Sequence, residues 1–161
     1  MESVRHIGGI LLGYVAMAAF VFLSFSAFFL TVGPDVAFLP GKYDVSIVWI
    51  VVSFVLSAIA AVLGGVVCRK VAGCGKTVAV FAGVVFALGV MDAIPALTAV
   101  PTESTPREGA VSNMEAMMKA RTPGWIALCN PFVGAIGALI GGKLAGGRRI
   151  RCAEHGREGK A

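Results

Sequence analysis

Four long apolar runs separated by polar segments make up most of the chain. They extend over about residues 7–32, 46–68, 77–100 and 123–145. A helix needs about 20 apolar residues to cross the hydrocarbon layer of a bilayer, and each run is close to that length. The pattern predicts an all-α polytopic membrane protein, an up-and-down bundle of four transmembrane helices in a single domain over residues 1–145. The first run exceeds the about 7 to 15 apolar residues of a secretory signal, so we expect a retained helix.

The connections between the runs differ in kind. Residues 69–76 form a short basic turn, which predicts that the second and third helices make an antiparallel hairpin. The third and fourth runs are joined by a longer polar segment, in which Ser112 stands three residues before Glu115. This spacing is typical of a capping box, so we expect a short amphipathic helix from about Asn113 to Ala120.

Three methionines fall on one face of this short outer helix: Met114, Met117 and Met118. We expect that face to rest on the membrane or on the outer mouth of the bundle. Two interpretations stay open, a simple amphipathic connector and a lid with an adaptable methionine surface.

Composition agrees with a membrane protein, because 57% of the residues are hydrophobic and 14% are charged. A soluble domain carries nearer to about 25% charged residues. The net charge of +5 comes from basic residues that flank the apolar runs. They form no basic face interleaved with aromatic residues, so we expect no nucleic-acid partner.

The distribution of lysine and arginine predicts the orientation. Ten of the 14 lie before the first run, in the 69–76 turn, and at or after the end of the fourth run, and the other four are Lys42, Arg107, Lys119 and Arg121. Because cytoplasmic segments retain basic residues, we expect a multi-pass protein of the cell (inner) membrane with both ends in the cytoplasm. The basic, glycine-rich tail over 146–161 is predicted to be disordered.

The sequence offers little for catalysis. His6 and His155 both lie outside the apolar runs, so no base is placed beside a membrane serine or cysteine. Asp92 is the sole acid inside any apolar run, which excludes a carboxylate pair. Residues 73–77 resemble the end of a phosphate-binding loop, but Lys70 occupies a position that requires glycine. We therefore predict that the protein is not an enzyme.

The four cysteines form no CxxC pair. Cys152 and His155 have a spacing that suits two metal ligands, and Cys68 and Cys74 lie on the same predicted side. The alternative is a mobile basic tail held near anionic lipid headgroups. Because no CxxC pair anchors a metal site, we expect no metal and no cofactor. Three of the four cysteines lie at or near the predicted reducing side, so we also expect no structural disulfide.

Asp92 is the most informative residue, because a carboxylate within the hydrocarbon is costly and marks a packed or functional position. The same depth on the other helices is occupied by Ser24, Ser53 and Asn130. Helical neighbours of Asp92, Asn130 and Ser53 are mostly glycine, alanine and serine, which let membrane helices pack closely. We therefore predict a buried polar layer of these four residues, with Asp92 and Asn130 within hydrogen-bonding reach or one water apart.

Two functions are compatible with such a layer. The leading hypothesis is a small transporter-like unit or accessory subunit with a polar site for a proton, a cation or a small solute. The alternative is a structural or assembly partner of a larger membrane complex, in which Asp92 is a packing group bonded to Asn130. Because one thin bundle encloses little volume, the expected partners are the lipid bilayer and either further copies of the chain or a larger complex.

Overall fold

The computed structural model describes residues 2–98 and 112–146, and helices account for most of them. In chain order these helices are α1 (Glu2–Val32), α2 (Pro34–Ala37), α3 (Ile47–Ala72), α4 (Gly75–Thr98), α5 (Asn113–Lys119) and α6 (Gly124–Leu144). Four of them, α1, α3, α4 and α6, are long and apolar enough to cross a membrane. The predicted all-α bundle with a short outer helix between the last two membrane helices is confirmed.

Helix ends depart from the prediction by a few residues. The first helix begins at Glu2 and the second membrane helix continues to Ala72, beyond the apolar runs in both cases. A helix can continue through polar residues at its end, so the apolar run marks the membrane-crossing part of the helix and not the position where the helix ends. At Gly73 the backbone takes the left-handed conformation with φ 72°, which glycine adopts readily, and α3 ends there.

The long helices pack in the spatial order α1, α3, α6, α4. We call the end that carries Arg5, Arg69, Lys70, Lys76 and Lys143 the basic end, and the end that carries α2 and α5 the loop end. From the basic end, α1 and α4 run toward the loop end, and α3 and α6 run back. The predicted hairpin of α3 and α4 is antiparallel, but the main partner of α4 is α6.

Glycines bring the helix backbones into contact. A Cβ atom at Gly65 would collide with the backbone of Ala138, so α3 and α6 meet there without an intervening side chain. A Cβ atom at Gly13 of α1 would lie 2.9 Å from the Gly64 carbonyl oxygen of α3. The fully buried Phe81 ring of α4 lies against both Gly13 and Gly64, which fastens α4 to α1 and α3 in the basic half.

At the loop end, the segment from α2 to α3 folds back over the membrane helices. Phe38 pairs with Val45 in an antiparallel bridge, and both are buried together with Phe29 and Tyr43. The Arg121 backbone N–H donates to the Tyr43 carbonyl oxygen at 2.9 Å, so the segment before α6 is tied to this fold. The loop end is therefore an ordered cap with its own apolar core.

Candidate functional site

The contacts between α1 and α3 define the level of the two predicted serines. Gly13 lies against Gly64 where these antiparallel helices touch. Ser24 and Ser53 are each about three turns nearer to the loop end than those glycines. This register places the two serines at the same level, and both side chains are half-buried.

The contacts of α6 place the other two polar residues near the same level. A Cβ atom at Gly89 would lie 3.0 Å from the Pro131 ring, which fixes the antiparallel register of α4 and α6. Asp92 is about one turn beyond Gly89, and Asn130 directly precedes Pro131. The parallel contact of Gly137 with Ala58 brings Asn130 to within about one turn of Ser53. The four residues thus lie at similar depth, on helices that contact one another.

The burial expected for the two strongest polar residues is not observed. The side chains of Asp92 and Asn130 are both exposed on the single chain. Across residues 2–98 and 112–146, no hydrogen bond joins them. The expectation of a closed interior at these two positions is therefore wrong for one copy of the chain.

The sequence prediction nevertheless placed Asp92 and Asn130 on helix faces that are packed elsewhere along α4 and α6. Asp92 follows Phe81 and Val85 on one face of α4, and both of these residues are buried. Asn130 precedes Gly137 and Gly141 on one face of α6, and both glycines are buried. The Asp92 face of α4 is therefore covered in the basic half and exposed in the loop half, whereas on α6 the side chain of Ile126, one turn before Asn130, is buried.

The packing of α4 explains why its face is uncovered there. Its contacts with α1 and α3 include the Thr77 hydroxyl, 2.7 Å from the His6 Nδ1 atom, and the Phe81 ring, both in the basic half. Its contacts with α6 extend from Val78 to Leu97. We call the surface that Asp92 and Asn130 border, where α3 does not cover α4, the polar opening.

Two prolines add acceptors beside the polar opening. Pro95 and Pro131 lie inside α4 and α6. Each lacks an N–H group, so the carbonyl oxygens of Met91 and Ala127, four residues earlier, lose their helical donor. Carboxylate, amide and carbonyl oxygens near one level form a set of groups suited to a proton, a cation or a hydrogen-bonding solute.

A second polar cluster at the loop end was only partly predicted. Ser112 Oγ accepts from the Glu115 backbone N–H at 3.2 Å, which is the expected start of α5. The Glu115 carboxylate accepts from the Tyr43 hydroxyl at 2.9 Å and from Lys119 Nζ at 2.8 Å. Tyr43 is buried in the loop-end core, so this cluster anchors α5 to the bundle. The sequence signal covered Ser112 and Glu115 but gave no indication of Tyr43.

The three ionisable members of this cluster, Tyr43, Glu115 and Lys119, have shifted pKa values. The Lys119 ammonium and then the Tyr43 hydroxyl lower the pKa of the Glu115 carboxyl. The hydrogen bond to Glu115 is the main cause of the raised pKa of Tyr43 and of the raised pKa of Lys119. All three shifts favour ionised Glu115, neutral Tyr43 and charged Lys119, so the cluster is an anchor and not a proton exchanger near neutral pH.

The methionine face of α5 does not pack on the rest of the chain as a whole. Met114 is 61% exposed and Met118 is 80% exposed. Contact with lipid thus remains the prediction for these two side chains. The prediction for Met117 falls outside the described side chains.

The cysteines correct one expectation. Cys68 and Cys129 are free, but Cys74 is disulfide-bonded to a partner beyond the described residues. The expectation of no disulfide is wrong, because pairing depends on proximity in the fold and not on spacing along the chain. Cys152, His155 and nearly all of the predicted disordered tail also lie outside the described residues. Within the described part, no three His, Cys, Asp or Glu side chains are grouped to hold a metal ion.

The comparisons with known proteins return no match among family models, curated proteins or solved structures.

Proposed function

We propose that this chain is a non-enzymatic membrane protein, a small transporter-like unit that binds a proton, a cation or a small polar solute at Asp92, Asn130, Ser53 and Ser24. One observation carries the proposal. Asp92 and Asn130 lie inside helices long enough to cross a membrane, near one level, and both are exposed. A carboxylate at that depth requires water, a ligand or another polar helix beside it.

The one-sided cover of this layer supports transport. The Asp92 face of α4 is exposed in the loop half and packed at Phe81 and Val85 in the basic half. A transported solute must reach its site from one side at a time, and proline-interrupted helices near the membrane centre are typical of such sites. We propose access to the layer from the loop end, the half in which the Asp92 face is exposed.

The proposed assembly is a homo-oligomer or a larger membrane complex in the lipid bilayer. A single bundle leaves the polar opening at its surface, where lipid tails offer no hydrogen bonds. A second copy of the chain that covers the polar opening would supply polar partners for Asp92 and Asn130.

The proposed orientation places the basic end in the cytoplasm of the cell (inner) membrane, because cytoplasmic segments retain lysine and arginine. The disulfide at Cys74 weighs against this, since cytoplasmic thiols are kept reduced. Labelling of Lys70→Cys in intact cells decides the question. Reaction with an impermeant reagent from outside would contradict the proposed orientation.

A flux assay tests the transport proposal. The full chain is reconstituted in liposomes, and proton and monovalent-cation flux are followed with entrapped dyes. Asp92→Asn removes the charge with almost no change of volume and should abolish flux while insertion and purification stay normal. Asp35→Asn makes the same chemical change at the loop end, outside the membrane helices, and should leave flux intact. Equal flux in the wild-type protein and Asp92→Asn would contradict a transport role for this residue.

The second candidate function is an assembly partner in which Asp92 and Asn130 are packing groups against another protein's helix. The exposure of both residues favours it, because a partner helix would also satisfy them. In that case Asp92→Asn should be nearly harmless, because an amide still forms hydrogen bonds. Asp92→Leu should release the partner during purification in mild detergent. Retention of the partner by Asp92→Leu would contradict this role.

A further inference from the structure

A cavity opens at the basic end where three membrane helices meet. It has a volume of about 330 Å³ and lies between the last turns of α3 and α6 and the first turn of α4. Arg69 and Lys143 contribute the charged part of its wall, and Val78 contributes to the apolar part. Among the described residues that line it there is no carboxylate. Two cationic side chains therefore face one cavity without an acidic partner in its wall.

The Arg69 guanidinium lies beside this cavity, close to two glycines. A Cβ atom at Gly75 would lie 3.1 Å from Arg69 Nη1, and one at Gly146 would lie 3.4 Å from Arg69 Nε. Nη1 is buried and has no hydrogen-bond partner within the described part of the chain. A buried cationic donor without an acceptor is costly, so the arrangement indicates an acceptor that binds from outside the chain.

The backbone adds donors on the same side. Gly75 lines the cavity and is the first residue of α4. The N–H groups of the first turn of a helix have no partner within the helix and favour anions. With the guanidinium and the Lys143 ammonium, they form a set of donors that suits a group with several anionic oxygens.

We propose that this cavity binds a phosphate group, with Arg69 and Lys143 as its charged ligands and the first turn of α4 as its backbone ligand. The arginine guanidinium donates two parallel hydrogen bonds to a pair of phosphate oxygens. The cavity lies at the ends of membrane-crossing helices, at the level where phospholipid headgroups lie. The phosphate belongs either to an anionic phospholipid or to a soluble phosphate compound. The site lies at the opposite end from the polar opening and does not depend on the proposed transport function.

Binding is measured on the full chain purified in a non-ionic detergent, by the change of thermal unfolding temperature with ligand concentration. The probes are short-chain phosphatidylglycerol and inorganic phosphate, compared at equal ionic strength. Arg69→Gln or Lys143→Gln should weaken binding by about tenfold or more, because hydrogen bonds to charged groups are lost. Lys70→Gln removes the same charge at the same end from a side chain that does not line the cavity, and should bind normally.

Gly75→Ala tests the geometry of the site without changing its charge. Both cations remain, but the added Cβ atom displaces the Arg69 guanidinium, whose flexible side chain moves without unfolding the helix. Weaker binding by Gly75→Ala is expected. Saturable binding of phosphatidylglycerol with no effect of inorganic phosphate would assign the phosphate to a lipid, and the reverse would assign it to a soluble compound. Equal loss of binding in Arg69→Gln and Lys70→Gln, or no binding of either probe, would overturn the proposal.

Discussion

Replacing Gly141 by alanine tests the backbone contact between α6 and α3. A Cβ atom at Gly141 would collide with the Val62 carbonyl group of α3. Backbone atoms inside a helix do not move aside as a side chain does, so the two helices must separate or shift. Gly83 on α4 provides the matched control, because its Cβ atom would have nothing within 4 Å.

The expected loss of stability is the difference in unfolding free energy between the two variants. Both replace a helical glycine by alanine, so both gain about 1 kcal/mol of helix propensity, and this gain cancels. The overpacking at Gly141 costs about 1–3 kcal/mol. For a chain of this size that difference lowers the unfolding temperature by about 2–12 °C relative to Gly83→Ala.

The assay uses a thiol already present in the protein. Cys68 is free and fully buried, so a thiol-reactive fluorophore reports its exposure during a temperature ramp. The exposed Cys129 is first replaced by alanine to remove its signal. Gly141→Ala should expose Cys68 at a lower temperature than Gly83→Ala. Identical transitions for the two variants would refute the close α3–α6 contact.

Three further predictions concern the two ends of the bundle. Tyr43→Phe removes the donor to Glu115 and should speed amide exchange in α5 while leaving the membrane helices protected; unchanged exchange would contradict the anchoring role. Since the pKa of Glu115 is lowered, its contribution is present above the ordinary Glu pKa of about 4.3 and is lost as pH falls through the lowered value. Exchange of α5, corrected for intrinsic rates, should therefore rise in acid, and Glu115→Gln should remove that rise. Thr77→Val should loosen the start of α1 by removing the bond to His6, whereas Thr98→Val, which loses bonds within its own helix, should not; equal exchange in both would count against the contact.

The membrane helices were predictable because apolar length alone identifies them. The packing partners were harder. The short turn correctly linked α3 and α4, but α4 packs mainly on α6, which is distant along the chain. Connection length reports which helices are joined, whereas shape decides which helices touch. Here Val78 and Val85 of α4 fill the space left by Gly142 and Gly134 of α6.

For the polar layer too, the sequence predicted one feature and missed another. Helical periodicity placed Asn130 on the face of Gly137 and Gly141, and both glycines are buried as expected. Periodicity gives the direction of a face but not how far a neighbouring helix follows it, so the exposure of Asn130 and Asp92 was not predictable. The contact between Tyr43 and Glu115 joins residues 72 positions apart, and no local pattern indicates such a pair.

The most direct test of the account is whether water reaches Asp92 from the loop end. In a background with the native cysteines replaced, Asp92→Cys is treated in membranes with an impermeant, water-borne thiol reagent applied to each side. Leu39→Cys, exposed at the loop end, identifies that side, and Val55→Cys is the exposed control on α3 near the same level. We predict that Asp92→Cys reacts from the same side as Leu39→Cys and much faster than Val55→Cys. Reaction of Asp92→Cys as slow as that of Val55→Cys from both sides would contradict a water-accessible polar layer.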